Sequence, residues 1–341
     1  MKKKERYNIA VLGATGAVGR AMLHTLERRG FPIGDLRLLA SPRSAGQTLE
    51  FGGRLYEVQA ATEEAFAGVD IALFSAGASA SLTYAPLAVR QGAVVVDNSS
   101  AYRLEPDVPL VVPEVNPDAA FSHKGIIANP NCSTIQLVVA LKPLVEFGIE
   151  HVSVSTYQAV SGMGQKAIDA LTAEVGGNAE TTLFPTASQD TRYPMAYNVL
   201  PQCDVFLDNG YTKEEMKLLN ESRKILGLPD LKVSPTAVRV PVIYGHSESV
   251  AVRFSKPVSA EEVRAKLTGA PGVVVVDDPQ HARFPHPRMA EGTGDTFVGR
   301  IRQDLADEYT VLMFVVADNL LKGAAWNAVQ IAELLVQGAE A

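Results

Sequence analysis

The segment "NPNCSTIQ", residues 129–136, sets a thiol directly after an Asn-Pro-Asn turn and directly before the run "TIQLVVALKPLVEFG". Ile135, Leu137, Val138 and Leu141 recur at helical spacing, so Cys132 and Ser133 are expected at a helix N-terminus. The positive end of a helix macrodipole favours the thiolate, which is a nucleophile. A cysteine used only for packing sits among apolar residues, whereas Asn129, Asn131, Ser133 and Thr134 surround this one. Cys203, in "PQCDVF", lacks a helix start and reads as a packing residue. Further along, His246 in "YGHSES" follows Arg239 by seven residues on a strand-like segment interrupted by Gly245, so both side chains are expected to reach one cleft. Histidine titrates near neutral pH, and arginine grips a planar carboxylate with two donors.

A second chemistry is written in "VLGATGAVG", where Gly13, Gly16 and Gly19 recur every third residue between a strand and a helix. Glycines admit a pyrophosphate close to the backbone, and the N–H groups of Thr15, Gly16, Ala17 and Val18 open the helix that follows. The spacing departs from G-x-G-x-x-G, and a bare tight turn is the plainer alternative. An NAD site carries an acidic residue at the end of the second strand, about 20 residues on, for the ribose 2'-OH. Here the strand "LRLLA" ends in "SPRSAG", and Ser41, Arg43 and Ser44 offer positive charge and hydroxyls suited to a 2'-phosphate. NADP is the expected cofactor.

The elements that must hold these residues fall into two patterns. Through about residue 131, short apolar strands alternate with helices: "YNIAVLG", "DLRLLA", "DIALFSA" and "AVVVDNS" are separated by "AVGRAMLHTLERRG" and "SLTYAPLAVRQG". That alternation predicts a parallel α/β sheet of Rossmann type over residues 1–131, completed by a C-terminal helix at 319–341. From 132 to 318, "HVSVSTYQAV", "TAVRVPVIYGHSESVAVRF", "GVVVVDD", "TFVGRIRQD" and "EYTVLMFVVAD" predict an α+β catalytic and dimerisation domain with a mixed, largely antiparallel sheet. Residues 176–202 lack periodicity and read as a long loop or arm.

Composition removes several classes. With 341 residues, 47% hydrophobic and 20% charged, the chain suits a two-domain globular protein. A net charge of -7 gives no general attraction for nucleic-acid phosphates, so anionic ligands need local clusters of Arg and Lys. No segment reaches about 18 uninterrupted apolar residues, which argues against a membrane span. Two cysteines make no disulfide framework, and the basic start lacks a signal-peptide core, so a cytoplasmic protein with reduced thiols is expected.

Six segments occur in order: "GATGAVG", "DNSSAYR", "NPNCSTIQ", "YQAVSGMG", "RVPVIYGHSES" and "ADNLLKGAAWNA". Together they make the chain similar to the bacterial type of aspartate-semialdehyde dehydrogenase from its first strand to its last helix. The resemblance implies reversible, NADP-dependent reduction of L-aspartyl-4-phosphate to L-aspartate 4-semialdehyde through a cysteine thioester, on the way to lysine, diaminopimelate, threonine and methionine. Sulfur suits both halves of such a reaction, because it attacks readily and its acyl derivative stays reactive. The resemblance makes Cys132 the nucleophile, His246 the acid/base, Gln158 the group orienting the acyl intermediate, and Arg239 the clamp on the substrate carboxylate. It assigns Arg103 and Lys217 to phosphate and Glu214 to the substrate ammonium, with neighbouring Glu215 and a simple i, i+3 Glu-Lys pair as alternatives. Ser161 and Gly162 would approach the nicotinamide, and Asn319 would reach its amide from the final helix. A homodimer with no metal is implied. His24, His123, His151, His281 and His286 carry no such context. Two rival readings are N-acetyl-glutamyl-phosphate reductase, which usually has Gly before its cysteine and an aromatic residue after it, and a catalytically silent NADP-binding regulator.

Overall fold

The computed structural model describes residues 2–177, 183–186 and 188–338. The chain divides into two compact units, one of residues 1–131 and 324–341 and one of residues 132–323.

In the first unit β1 (Tyr7–Leu12), α1 (Ala17–Arg28), β2 (Ile33–Ala40), β3 (Thr48–Phe51), β4 (Arg54–Ala60), β5 (Ile71–Phe74), α2 (Ala78–Arg90), β6 (Val94–Asp97) and β7 (Ile126–Ala128) follow one another. The seven strands lie in the order β3-β4-β2-β1-β5-β6-β7. Every pairing is parallel except the β3–β4 hairpin. β5 and β6 are buried along their whole length, as strands covered on both faces must be. On one face Tyr7, Ile9 and Val11 pack with Met22 and Leu26 of α1. On the other, Ala10, Ala72 and Phe74 pack with Ala85 and Ala88 of α2. From β1 the chain order runs outward to β2 on one side and to β5 on the other, which makes the C-terminal end of β1 a topological switch point.

The second unit holds α3 (Cys132–Leu141), β8 (Ile149–Gln158), α4 (Gln165–Val175), α5 (Lys213–Leu226), β9 (Lys232–Arg239), β10 (His246–Phe254), α6 (Ala260–Leu267), β11 (Val273–Val275), α7 (Pro287–Ala290), β12 (Thr296–Gln303) and β13 (Thr310–Ala317). Its six-stranded sheet runs β11-β12-β13-β10-β8-β9. The pairs β12–β13, β13–β10 and β10–β8 are antiparallel, and β11–β12 and β8–β9 parallel, so the sheet is mixed and mostly antiparallel as expected. α3 is shorter than the apolar run suggests. It stops at Leu141, because Pro143 has no N–H to continue the α-helical bonding, and a 3-10 segment at Lys142–Phe147 follows. α3 packs on β12 and β13, and α5 packs on α3 and β9.

Of the arm expected at 176–202, residues 178–182 and 187 lie outside the described residues. Phe184, Met195 and Leu200 are buried with Val160, Ile168 and Leu171 of the same unit. The chain returns to the first unit with α8 (Trp326–Gln337), which starts later than the expected 319. Asn319 therefore stands in a turn rather than on a helix, because Asp318 Oδ1 accepts the N–H groups of Leu320 (2.9 Å) and Leu321 (3.1 Å) and a π-helical turn, Leu321–Ala325, intervenes. α8 is tied to α1 by Arg29, whose Nε and Nη2 both donate to Glu333 at 2.6 Å. Arg29 also lies 4.4 Å over the Trp326 ring.

Candidate active site

The thiol named first by the sequence is the first residue of α3, and its Sγ lies 3.2 Å from Nε2 of His246, the first residue of β10. Cys132 is partly exposed and His246 fully buried. Gly323 presses on the cysteine from behind. A Cβ at residue 323 would come within 2.7 Å of the Cys132 Cβ, so this position tolerates no side chain.

Three neighbouring strands bring the partners together. Although Arg239 and His246 end one strand and begin the next, those strands are not adjacent, because β8 is inserted between them. Gln158 pairs with Arg239 across β8–β9. One step beyond the Ser247–Tyr157 pair of β10–β8, Gln158 also stands opposite His246. Arg239, Gln158 and His246 thus form one row on one face of the sheet.

The peptide groups of Ala159 join the ends of that row. Its N–H donates to His246 Nδ1 at 3.0 Å, and its carbonyl accepts Nη1 of Arg239 at 2.8 Å. With Nδ1 accepting, the neutral imidazole carries its proton on Nε2, facing the sulfur. Burial, and then the nearby Arg239 charge, push the His246 pKa down to about 3. Gly162 lies against both side chains, since a Cβ there would be 3.4 Å from Arg239 Nη1 and from His246 Nε2. Arg239 is 5% exposed, its Nε has no hydrogen-bond partner, and no carboxylate among the described residues pairs with it. A buried guanidinium with a spare donor is a site for an anion.

Gln158 Nε2 donates to Ser133 Oγ (2.8 Å), to Thr156 Oγ1 (3.3 Å) and to Glu214 Oε1 (3.2 Å). Glu214 in turn accepts Lys217 Nζ at 2.8 Å, so the i, i+3 pair on α5 does form, and Lys217 also reaches Asp204 at 3.3 Å. The structure separates the two adjacent glutamates. Glu215 completes a capping box with Thr212, and its other oxygen accepts Ala237 N at 2.9 Å, so its carboxylate is spent on backbone. Asn319 meets Ser161 Oγ through Nδ2 at 2.9 Å and accepts Gly245 N at 2.9 Å. Cys203 is buried and its thiol is pushed up to about 12 by burial, which suits an inert packing residue.

The remaining expected residues belong to the first unit. Gly13 has φ +86° in the turn directly after β1, and a Cβ on it would meet Ser75 at 2.9 Å. A Cβ on Gly19 would lie 2.1 Å from Gly13 O, so both positions require glycine for the turn to close on its helix. Gly16 caps α1 without a side-chain hydrogen bond, and no acidic residue stands in the first turn. Thr15, Gly16, Ala17 and Val18 therefore present a helix start fit for a pyrophosphate. Gly13 N and Ala14 N donate to Leu39 O at 2.8 and 3.3 Å, which holds the loop beside the end of β2. Ser41, Arg43 and Ser44 follow there in a 3-10 turn, with Ser41 and Arg43 exposed. These features fit a dinucleotide. Arg103 is anchored by Asn129 O (3.0 Å) and Asn98 O (2.7 Å), two carbonyls that orient its guanidinium without adding a formal charge. Asn327 of α8 fixes Asn129 in place through a 2.7 Å bond to its Oδ1.

Several contacts were not legible in the sequence. The role of the Ala159 peptide has no side-chain signal. Glu248 and Gln136, both fully buried, had one: each is a polar residue at an inward position, two after His246 and four after Cys132. No group of three or more His, Cys, Asp or Glu among the described residues could hold a metal ion. No helix among them is long and apolar enough to cross a membrane.

Residues 8–123 match the family model described as semialdehyde dehydrogenase, NAD binding domain, and residues 141–322 the one described as semialdehyde dehydrogenase, dimerisation domain. The chain is 56% identical over 335 residues to the aspartate-semialdehyde dehydrogenase of Aquifex aeolicus, covering 97% of this chain and 98% of the relative. Among solved structures, aspartate semialdehyde dehydrogenase II of Vibrio cholerae complexed with ASA superposes with a TM-score of 0.91 at 46% identity, covering 98% of this chain and 99% of that one. The Candida albicans enzyme with NADP superposes with a TM-score of 0.73 at 29% identity, covering 97% and 98%.

Proposed function

The chain belongs to the aspartate-semialdehyde dehydrogenase family, and from that premise we infer that it reduces L-aspartyl-4-phosphate reversibly to L-aspartate 4-semialdehyde through a thioester on Cys132. The observation that carries the thioester is the 3.2 Å approach of Cys132 Sγ to the Nε2–H of a fully buried, neutral His246.

In the reductive direction the Cys132 thiolate attacks the acyl carbon, a C–S bond forms, and the C–O bond to phosphate breaks with its electrons leaving on phosphate. A nicotinamide held by Ser161, Gly162 and Asn319 would supply the hydride that reduces the thioester carbon. Collapse of the thiohemiacetal then breaks the C–S bond, releases the aldehyde and returns the thiolate. Because Nδ1 of His246 is committed to Ala159, the residue serves as a neutral Nε2–H donor to the sulfur and to the oxyanion that develops beside it. The acid/base duty expected of it narrows to that of a donor for as long as the Ala159 bond holds. Arg239 would take the substrate carboxylate with its unused donor. Gln158 holds the row between the two, and Glu214, fixed by Gln158 and Lys217, would meet the ammonium. Arg103 and Lys217 would serve phosphate. Ser161, Gly162 and Asn319 would serve the nicotinamide.

The choice of NADP is supported by Ser41, Arg43 and Ser44 at the end of β2, where an NAD site carries a carboxylate. A homodimer is supported by the match to the dimerisation model and by the sheet face bearing Tyr157 and Phe314, stacked at 6.3 Å with Tyr157 exposed. We place the enzyme in the cytoplasm, in the route to lysine, diaminopimelate, threonine and methionine.

The test is a phosphate-dependent rise of NADPH on adding aspartate semialdehyde with NADP+, repeated with Cys132→Ser and Cys203→Ser. Activity should vanish in the first variant and persist in the second, and mass spectrometry should find an acyl adduct on Cys132. Turnover by the Cys132 variant near the native rate would end the covalent reading.

A further inference from the structure

Glu248 is a buried ionisable group that the reaction leaves without a task. It follows His246 by two residues on β10, so the two side chains share one face of the sheet. Gln136 follows Cys132 by four residues on α3, so those two share one side of the helix. Behind the Cys132–His246 contact the same two elements therefore place a second pair, Gln136 beside Glu248.

Both members of that pair are fully buried. The two carboxyl oxygens and both polar atoms of the amide stop short of hydrogen-bond geometry with any partner. Across the sheet Glu248 is flanked by Thr156 on β8 and Val315 on β13, and α3 contains no Asp, Glu, Lys, Arg or His. A carboxylate surrounded by uncharged groups is costly to bury, and the neutral acid much less so. Burial accordingly pushes the Glu248 carboxyl well above its ordinary range, with only the Gln136 dipole opposing it. The inward positions that follow on β10, Val250 and Val252, are apolar, so two matched polar groups at this one level mark a single register for α3. Sliding the helix by a turn would part the two groups and leave each facing apolar neighbours alone.

Resting on the reading that Cys132 and His246 are the reacting pair, we propose that Glu248 is a positioning residue: as an uncharged acid matched to Gln136, it sets how α3, and with it the Cys132 sulfur, seats against the strand that carries His246.

Three variants test this in the full-length protein: Glu248→Gln, Glu248→Leu, and the double variant Gln136→Leu with Glu248→Leu. Each is measured for melting temperature, for kcat and KM, and for the pH profile of Cys132 alkylation by iodoacetamide, with the adduct located by mass spectrometry. Alkylation reports the thiol without any assumption about substrate, so a wrong reaction assignment shows as absent turnover in the native protein while the alkylation arm still decides the positioning claim. Glu248→Gln keeps the shape and the neutral charge, so kcat and the alkylation profile should stay as in the native protein. Its melting temperature at neutral pH should rise, because burial penalises the folded carboxylate of glutamate and imposes no such charge cost on glutamine. A shifted alkylation profile or a lowered melting temperature in this variant would show Glu248 charged in the fold and overturn the proposal. The double variant removes both polar partners together, which is near neutral for stability. Its kcat should fall on the order of tenfold to a hundredfold with KM little changed, and Cys132 alkylation should change with it. Native kcat in the double variant, or its failure to fold, would overturn the proposal, since the pair would then be idle or a requirement of folding alone. Glu248→Leu by itself should lose both stability and kcat, and native kcat in that variant would count against the proposal in the same way.

Discussion

The main-chain N–H of Ala159 donates to Nδ1 of His246 at 3.0 Å, and this one contact decides which nitrogen of the imidazole faces Cys132. The same peptide's carbonyl holds Arg239, so the residue expected to bind substrate and the residue facing the sulfur share one backbone anchor. Nitrogen-15 spectra of the histidine-labelled protein should show His246 neutral, with Nε2 protonated, between about pH 5 and about pH 8. A protonated Nδ1, or an imidazolium signal in that range, would remove the donor role.

The same burial has a stability consequence with a definite sign. An unfolded histidine takes up a proton below its ordinary 6.5, but folded His246 refuses it down to about 3. Its folded pKa is depressed, so the stability it contributes is fully present above 6.5 and is lost as pH falls toward 3. Between about pH 7 and about pH 5, the melting temperature of His246→Asn should fall less than that of the native protein. Equal slopes would show that another group governs the acid limb.

The anion-binding residues should separate kinetically. In the phosphorolytic direction, Arg239→Ala should raise the KM for semialdehyde more than that for phosphate, because its free Nε points to an oriented carboxylate contact. Arg103→Ala and Lys217→Ala should do the reverse. Lys217 already neutralises Glu214, so its removal should also loosen Gln158 and lower kcat, a loss not expected of Arg103. A two-substrate kinetic grid at fixed ionic strength checks all three, and exchanged patterns for Arg239 and Arg103 would mean that the two sites have been swapped.

Arg43 stands exposed in the turn after β2, held next to the glycine loop by the bonds to Leu39 O. Replacing it by alanine should weaken NADP binding roughly tenfold, the loss of one charge-assisted contact in a solvated setting, and leave NAD binding nearly unchanged. Equal losses for the two cofactors, measured by fluorescence titration, would show that Arg43 does not read the 2'-phosphate.

Local pattern determined much of this protein from the sequence alone. The strand-helix alternation of the first 131 residues and the glycines at 13, 16 and 19 specify a parallel sheet with a nucleotide turn, because apolar period and backbone freedom are properties of short segments. The polar residues around Cys132 likewise mark a helix start, and the ordered motifs place the chain in its family. Tertiary structure decided what no segment encodes. Arg239 and His246 lie only seven residues apart in the chain, yet β8 inserts between β9 and β10, and the two are linked through Ala159, which follows Gln158 at the end of that strand. Glu214 and Glu215 are indistinguishable as neighbours in "KEEMK", and only the capping box with Thr212 and the contact with Ala237 assign one to the backbone and leave the other to Gln158. Asn319 falls off the helix because Asp318 captures the next two N–H groups. In each case the deciding partner is remote in sequence or belongs to the main chain, and main-chain N–H and C=O groups are the same at every residue, so their alignment is known only once the strands have found their order.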